Sequence, residues 1–266
     1  MAGRGSGPDF VEALARGLDV LSCFDARHPT MSLSEVAVAA GLARPTARRL
    51  LLTLAELGYV RASGTGYALT PKVLDLGIAY TSSLGLWDLA RPHLETLVSR
   101  TGESSSMAQL DGSDIVYVAR VSVPKISALR VDIGTRFPAE LTSQGKVLLA
   151  ALSEEQVAQA LAQPTRSGLP PRPYDRDVLA TELVRVRAQG WALADEQLAP
   201  GVRSVAAPVR DATGAVRAAM NVTVHAAETS TETLLHDHLP LLLQTAGRVS
   251  ADWAIWQRRP HTELGA

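Results

Sequence analysis

Residues 32–57 carry the pattern that most constrains the fold, two short amphipathic helices separated by a glycine. The first pattern opens with Ser32 and Glu35 at the spacing of a capping box, and Gly41 suits the left-handed position that ends a helix. The second pattern starts at Pro45, a residue favoured in the first helical turn, and continues to the next glycine. Two short helices joined by a glycine-containing turn are typical of a helix-turn-helix.

The second helix pattern predicts which of its side chains face outward. Its apolar residues recur at the spacing of a buried helix face, namely Ala47, Leu50, Leu51, Leu54 and Leu57. At 3.6 residues per turn, the outward set is Pro45, Arg48, Arg49, Leu52 and Thr53, with Thr46 at its edge. Arginines at 44, 48 and 49 with no acidic residue before Glu56 favour DNA binding. A plain helical hairpin with a solvated basic surface is the alternative.

A β-hairpin pattern follows the second helix at residues 59–70, two β-rich runs about a Ser-Gly-Thr-Gly turn. A hairpin in this position is the wing of a winged helix-turn-helix, and the predicted partner is double-stranded DNA. We expect Thr46, Arg48 and Arg49 to contact base edges and the wing residues to contact phosphates. The candidate DNA-binding residues are Arg44, Pro45, Thr46, Arg48, Arg49, Arg61 and Tyr67.

Charge is distributed unevenly along the 266 residues. Residues 1–72 have eight Lys or Arg and six Asp or Glu, a net charge of +2, and the remainder has eighteen and twenty-one, a net charge of −3. The small basic excess lies with the helix-turn-helix, whereas the total charge of −1 argues against a protein that coats nucleic acid non-specifically and allows a compact, specific reader. A single cysteine, Cys23, excludes an intrachain disulfide and a cysteine-based zinc site.

No targeting or membrane segment is expected. The first eight residues are glycine-rich without the apolar core of a signal peptide. The chain has no run of about 18 apolar residues that would span a bilayer. The sequence therefore predicts a cytoplasmic protein with no membrane partner.

After the wing, the pattern changes from a helical linker to a mixed α+β domain. Thr70 and Pro71 restart a helix whose apolar character predicts packing on a second subunit. The predicted domains are the winged helix-turn-helix at 1–71, a linker or dimerisation helix at 72–85 and an α+β domain at 86–266. In the last domain we expect helices at 88–100, 142–152, 153–162 and 176–189. The expected strands are at 103–121 (as a pair), 126–133, 202–209 and 216–224. A loop is expected at 134–138, and a capping box at 229–232 is expected to open a long final helix.

The start of the helix at Thr142 is a candidate anion site. Helix N-termini present free amides and the positive end of the dipole. Ser143 and Gln144 add polar groups, Gly145 permits close approach to the backbone, and Arg136 precedes the helix. Ordinary capping by Thr142 is the alternative.

Four further polar residues, Asp195, Ser204, Asn221 and Thr223, lie on or beside apolar strand patterns. Alternation alone predicts polar positions, so their significance depends on whether they converge.

Catalytic and metal-binding patterns are scarce. The chain has no Gly-x-Ser-x-Gly, His-Glu-x-x-His or Gly-x-x-x-x-Gly-Lys motif. An O-methyltransferase-like enzyme that uses a winged helix only for dimerisation is the alternative, but it requires a glycine-rich cofactor loop after a strand, which the sequence lacks. A scaffolding protein whose helix-turn-helix is only a dimer module is a third class. We therefore expect no catalytic residues, no metal and no cofactor.

Over nearly its whole length the chain resembles the IclR family of bacterial transcriptional regulators. The resemblance depends on the order and spacing of LARGLDVLSCF, GLARPTARRLLLTLAELGYV, LTPKVLDLG, DIVYVARV, GTRFPAELTSQGKVLLA, GWALADEQLAPGVRSVAAPV and AAMNVTVHA. Within the family it is most similar to the PcaR, PcaU and PobR branch, which controls protocatechuate, 4-hydroxybenzoate and β-ketoadipate catabolism.

The resemblance implies an α+β fold with an N-terminal winged helix-turn-helix, a linker helix and a GAF/PAS-like effector domain with an antiparallel sheet and a long terminal helix. It implies homodimers that pair through the DNA-binding end, often as a dimer of dimers, and a small carboxylate effector, aromatic or dicarboxylic. By position, the implied effector-binding residues are Arg136, Ser143, Gln144, Asp195, Ser204, Asn221 and Thr223. The chain departs from the branch at Gln144, where methionine is usual, and Glu140 adds a nearby negative charge.

Overall fold

The computed structural model describes residues 7–25, 27–77, 85–124, 131–170 and 172–258. The chain divides into two compact units, Met1–Ser83 and Leu84–Ala266. The predicted linker helix is described as helical only at 73–77, and its remainder to residue 84 lies outside the described residues. The strand expected at 126–133 lies mostly outside them, and residues 131–133 are not a strand.

The first unit is a three-helix module followed by a β-hairpin. Its elements are α1 (Glu12–Ser22), α2 (Leu33–Ala39), α3 (Arg44–Glu56), β1 (Val60–Ser63) and β2 (Gly66–Leu69). The predicted capping box of α2 is confirmed, because the Ser32 hydroxyl accepts from the Glu35 amide and Glu35 accepts from the Ser32 amide. The helical spacing of Phe10, Leu14, Leu18 and Leu21 predicts a first helix from Asp9 to about Phe24, and α1 starts later, at Glu12.

The core of this module is formed by α1, α2, α3 and the hairpin. Its buried residues are Val20, Phe24, Met31, Val36, Leu51, Leu54 and Val60. Leu57, expected in the buried stripe of α3, is 52% exposed because the helix ends at Glu56. Tyr67 pairs with Met31 through the backbone. A Cβ at Gly66 would lie 2.6 Å from the Met31 carbonyl oxygen, so only glycine fits beside this pairing.

The second unit contains a six-stranded antiparallel sheet with helices on both faces, which confirms the predicted α+β class. In chain order its elements are α4 (Leu86–Thr101), β3 (Ser104–Asp111), β4 (Asp114–Val121), β5 (Arg136–Pro138), α5 (Ser143–Ala150), α6 (Glu154–Leu161), α7 (Arg176–Gln189), β6 (Ala192–Asp195), β7 (Val202–Arg210), β8 (Val216–His225) and α8 (Leu239–Gln257). The strand order is β5-β4-β3-β8-β7-β6.

Each face of this sheet has its own apolar core. Helices α4 and α8 cover one face, where Leu94, Leu242 and Trp253 are buried with strand residues. Helices α5 and α7 cover the other, where Leu149 and Leu183 are buried. Because an antiparallel strand alternates its side chains between the two faces, one set of strands contributes to both cores.

Two local expectations for this unit were wrong. Residues 136–138 form β5 instead of a loop, because they pair with β4 in the register Ile115↔Phe137. The final helical region is capped by Ser230, whose hydroxyl accepts from the Thr233 amide at 3.0 Å. The predicted capping box at 229–232 is therefore replaced by a simple cap one residue later, and a π-helical turn at Leu234–His238 precedes α8. Among the helices of the described residues, none has the length and apolarity to cross a bilayer.

Candidate functional site

The N-terminus of α5 and the strands beneath it enclose a cavity of about 40 Å³. Five of the predicted effector-binding residues line it: Ser143, Gln144, Ser204, Asn221 and Thr223. The other lining residues are Tyr117, Arg120, Val131, Phe137, Leu141, Thr142, Ala194, Leu198 and Val202. These five polar side chains therefore converge on one cavity. The alternation of side chains along each strand predicts polar positions but does not predict that they meet.

The first turn of α5 is held tightly against the turn that precedes it. The Thr142 hydroxyl accepts from the Gly145 amide at 3.0 Å, as the capping prediction required. A Cβ at Gly145 would lie 2.1 Å from the Ala139 carbonyl oxygen. Only glycine permits this approach, which fixes the position of Ser143 and Gln144 in the cavity wall.

Most polar groups in the wall are already hydrogen-bonded to one another. The hydroxyls of Ser143 and Ser204 lie 2.8 Å apart. The Asn221 side chain accepts from the Ser106 amide at 3.0 Å and donates to the Thr223 hydroxyl at 2.9 Å. These bonds orient the polar atoms before any ligand binds.

Two predicted effector-binding residues, Asp195 and Arg136, do not line the cavity. Asp195 is 43% exposed in its side chain and accepts from the Arg203 guanidinium at 2.6 Å. Its neighbour Ala194 lines the cavity, so strand alternation directs Asp195 to the other face. The same reasoning applies to β5, where Phe137 lines the cavity and Arg136 instead pairs with Asp111.

Arg120 is the cation that the sequence reasoning missed. It lines the cavity and donates to the Ser106 hydroxyl at 3.0 Å. Burial lowers the pKa of its guanidinium from the ordinary value, although arginine remains charged at neutral pH. No ion pair found among the described residues includes Arg120.

A β-bulge explains why Arg120 faces the cavity. In the register of β3 with β4, Met107 pairs with Ala119 and Ala108 pairs with Tyr117, so Val118 is the extra residue. Strict alternation would place Arg120 on the face opposite to Tyr117. The bulge shifts the alternation by one residue, so that both side chains line the cavity.

Aromatic side chains form part of the cavity wall. The rings of Tyr117 and Phe137 meet edge to face, with centroids 5.8 Å apart and planes at 85°. Burial raises the pKa of Tyr117 to about 12, so its phenol stays protonated at neutral pH. Among the residues that the structure describes, the lining contains no acidic side chain and no cation besides Arg120. The cavity therefore combines apolar and aromatic surface with one described cation and several fixed polar groups.

The predicted DNA-binding residues are mostly exposed on the first unit. Arg44, Pro45, Arg48 and Arg49 are exposed at the N-terminal half of α3, and Thr46 is half-buried at the edge of that face. None of the ion pairs within the described ranges includes an arginine of α3. In the wing, Arg61 is exposed, whereas Tyr67 is half-buried and packs against the core of the module.

Comparison with known proteins matches both units to one family. Residues 13–64 match the IclR helix-turn-helix domain, and residues 78–251 match the C-terminal domain of the bacterial transcriptional regulator IclR. The Pca regulon regulatory protein of Pseudomonas putida is 38% identical over 238 residues, covering 89% of this chain and 82% of that protein. The p-hydroxybenzoate hydroxylase transcriptional activator of Acinetobacter baylyi is 32% identical over 247 residues, covering 91% of each.

The fold agrees with this assignment. The crystal structure of a putative transcriptional regulator from Rhodococcus sp. RHA1 has a TM-score of 0.79 and 47% identity, covering 93% of this chain and all of that one. These family models and relatives are transcriptional regulators and not enzymes. The chain therefore belongs to the IclR family of bacterial transcriptional regulators, within the branch that includes the regulators of the pca genes and of p-hydroxybenzoate hydroxylase.

Proposed function

We propose that this regulator senses a small aromatic carboxylate in the cavity of its second unit and thereby changes its affinity for a double-stranded DNA operator. The observation that carries the proposal is Arg120, a cation in the cavity wall that belongs to no ion pair of the described residues. Its guanidinium is half-buried, and the nearby carboxylate of Asp132 partly offsets its charge. A cation that is partly withdrawn from water favours an anionic ligand. A planar guanidinium matches the geometry of a carboxylate and can bind it through two hydrogen bonds.

The walls favour an aromatic acid over an aliphatic one. Tyr117 and Phe137 present ring surfaces in edge-to-face contact, and Leu141 and Leu198 add aliphatic surface. A planar ring could extend this packing at favourable offset or edge-to-face geometry. The names of the two relatives, which regulate aromatic catabolism, support the same ligand class.

Ligand binding requires the cavity to expand. A space of about 40 Å³ holds only a few water molecules, because one water needs roughly 10–15 Å³ by the same measure. A benzoate ring would displace wall residues, among them Leu198 in the loop between β6 and β7. The ligand then stabilises an expanded state over the contracted one, which is the differential affinity that a switch requires.

The exposed face of α3 is the proposed reader of the operator. Thr46, Arg48 and Arg49 would contact base edges in the major groove, and Arg44 and Arg61 would contact phosphates. Tyr67 is half-buried, so its contribution would be limited to the exposed edge of the ring. Pro45 shapes the first turn of α3 and lies on the same face.

The first unit also supports dimerisation. Phe10, Leu14 and Leu18 recur every four residues along and just before α1 and are 41%, 63% and 51% exposed. An apolar stripe of this kind on a single chain is a typical protein–protein surface. We propose that two copies pair through it, because two reading heads are needed for half-sites one helical turn apart. A dimer of dimers on DNA extends the same proposal.

Calorimetric titration of the purified protein with protocatechuate, 4-hydroxybenzoate, β-ketoadipate and pyruvate tests the effector assignment. We expect an aromatic acid to bind, and Arg120→Met to weaken it by about ten- to a hundredfold, since a charge-assisted hydrogen bond contributes roughly 1.5–3 kcal/mol. Arg136→Met is the matched control, because this arginine lies outside the cavity and its removal should leave affinity unchanged. Unchanged binding by the Arg120 variant would refute the proposed anchor, and no binding of any acid would refute the ligand class.

A further inference from the structure

The cavity wall contains one buried polar atom that has no hydrogen-bond partner within the described residues, the Oε1 oxygen of Gln144. Gln144 is 1% exposed and lines the cavity. The other three such atoms belong to Trp87, Ser113 and Arg136, which are not part of the lining. A buried acceptor without a donor is costly and is found where a ligand or water supplies the missing bond.

The orientation of the Gln144 amide is determined by its neighbours. Its nitrogen donates to the Ser106 carbonyl at 3.1 Å and to the Ala219 carbonyl at 2.9 Å. Rotating the amide by 180° would point its oxygen at these two carbonyl oxygens, and neither contact would then be a hydrogen bond because all three oxygens are acceptors. The nitrogen therefore faces the strands, and the oxygen is the end that remains for a ligand.

Ser106 is hydrogen-bonded to both Gln144 and Arg120. The Ser106 carbonyl accepts a hydrogen bond from the Gln144 side-chain nitrogen, and the Ser106 hydroxyl accepts one from the Arg120 guanidinium at 3.0 Å. Both side chains thus contact the same residue and line the same cavity. A ligand whose carboxylate meets Arg120 can also present a second polar group to Gln144.

That second group must be a neutral hydrogen-bond donor. A second carboxylate, as in a dicarboxylic acid, would direct its own lone pairs at the Gln144 oxygen. An ammonium group would lie beside the cation of Arg120, and the described residues of the lining include no Asp or Glu to pair with it. A hydroxyl group satisfies the acceptor without adding charge.

We propose that Gln144 is a specificity-determining residue that selects hydroxylated acids, with the ligand hydroxyl donating to Oε1 while its carboxylate binds Arg120. The inference rests on the proposed function, since it assumes that the cavity binds a carboxylate. It goes further by excluding dicarboxylates and unsubstituted aromatic acids as preferred ligands. A methionine at this position could not accept such a bond with comparable strength, because its thioether sulfur is a weak acceptor.

Matched ligand pairs separate the donor from size and charge. Affinities of the full-length protein are measured for benzoate and for the 3- and 4-hydroxybenzoates, each beside its methoxy analogue, which keeps the oxygen and lacks the donor. We expect at least one hydroxy acid to bind about ten- to a hundredfold more tightly than both its methyl ether and benzoate. The Gln144→Met variant should lose this ratio while still binding benzoate.

The outcomes distinguish the two proposals. If hydroxy acids, ethers and benzoate bind equally well and binding still requires Arg120, the role of Gln144 is refuted and the carboxylate site stands. If the hydroxyl preference persists in Gln144→Met, another group receives the hydroxyl and the proposal is overturned. If Arg120→Met and the control Arg136→Met both lose all binding, the loss does not come from the cavity, and the proposed function itself is contradicted. A thermal melt of each variant identifies any variant that fails to fold. The ligand series on the wild-type protein tests the hydroxyl preference even if a variant does not fold.

Discussion

Replacing Gly145 by alanine tests whether the cavity wall has the geometry described above. The added Cβ would lie 2.1 Å from the oxygen, 2.4 Å from the Cα and 2.5 Å from the carbonyl carbon of Ala139, all of them backbone atoms. Neither the turn at residues 139–141 nor α5 can accommodate it without moving by about an ångström. Overpacking of this kind costs about 1–3 kcal/mol, and the Thr142 cap that would be disturbed contributes about 1 kcal/mol more.

The same substitution at Gly247 is a matched control with the opposite expected sign. Gly247 lies inside α8, is exposed, has no heavy atom within 4 Å of an added Cβ and does not adopt a positive φ. Gly→Ala at such a helical position stabilises by about 0.4–1 kcal/mol. We therefore expect Gly145→Ala to lower the free energy of unfolding by about 3 kcal/mol and Gly247→Ala to raise it slightly.

Tryptophan fluorescence during thermal unfolding measures both effects in the relevant unit. The four tryptophans, Trp87, Trp191, Trp253 and Trp256, all belong to the second unit. For a unit of this size 1 kcal/mol corresponds to about 2–4 °C in Tm, so the Gly145 variant should melt about 6–12 °C below the wild type. A Gly145 variant that melts within 2 °C of the wild type, or shifts in the same direction as the Gly247 variant, would refute the packing argument.

Three further predictions concern DNA binding, pH and assembly. Arg49→Ala should weaken binding to a selected operator by about 1–3 kcal/mol in an anisotropy titration and reduce discrimination at one base pair, since a bidentate base contact is lost. Glu140→Gln should stabilise the protein slightly at pH 7, because burial raises the pKa of Glu140 and its ionised form is disfavoured in the folded state. Its advantage should vanish in melts below the unfolded pKa of about 4.3, where the carboxyl is protonated in both states. The double variant Leu14→Ser, Leu18→Ser should shift the protein from dimer to monomer in sedimentation velocity, because it interrupts the exposed stripe of α1.

Each of these has a distinct contradicting result. An equal loss of affinity on all DNA sequences would make Arg49 a phosphate contact. A stabilisation by Glu140→Gln that persists at low pH would assign the effect to something other than ionisation. A double serine variant that remains dimeric with an unchanged melt would place the dimer interface elsewhere.

Local patterns were predictable from the sequence because a few neighbouring residues determine them. The capping box of Ser32 and Glu35 and the cap at Thr142 depend on contacts three residues apart. The buried stripe of α3 follows from helical periodicity, and it failed only at Leu57, where the helix has already ended. These are the parts of the fold that require no knowledge of the partner strands.

The composition of the cavity depended on pairing between distant strands, which the sequence alone does not reveal. Arg120 lines the cavity because of a bulge at Val118, a feature visible only in the register with β3. Asp195 and Arg136 were predicted from motif position, yet their neighbours on β6 and β5 take the cavity-facing places. A reading of strand alternation around Ala194 would have excluded Asp195 in advance.

The most direct test of the account is the affinity of the protein for its operator with and without a saturating aromatic acid. Duplexes selected by the protein from a random pool supply the operator, and the dissociation constant is measured by anisotropy at fixed salt. We predict a change of about 5- to 150-fold in the dissociation constant, in either direction, which corresponds to a coupling free energy of about 1–3 kcal/mol. The change should disappear in Arg120→Met. An operator affinity that is the same with and without an acid that demonstrably binds would contradict the claim that this cavity controls DNA binding.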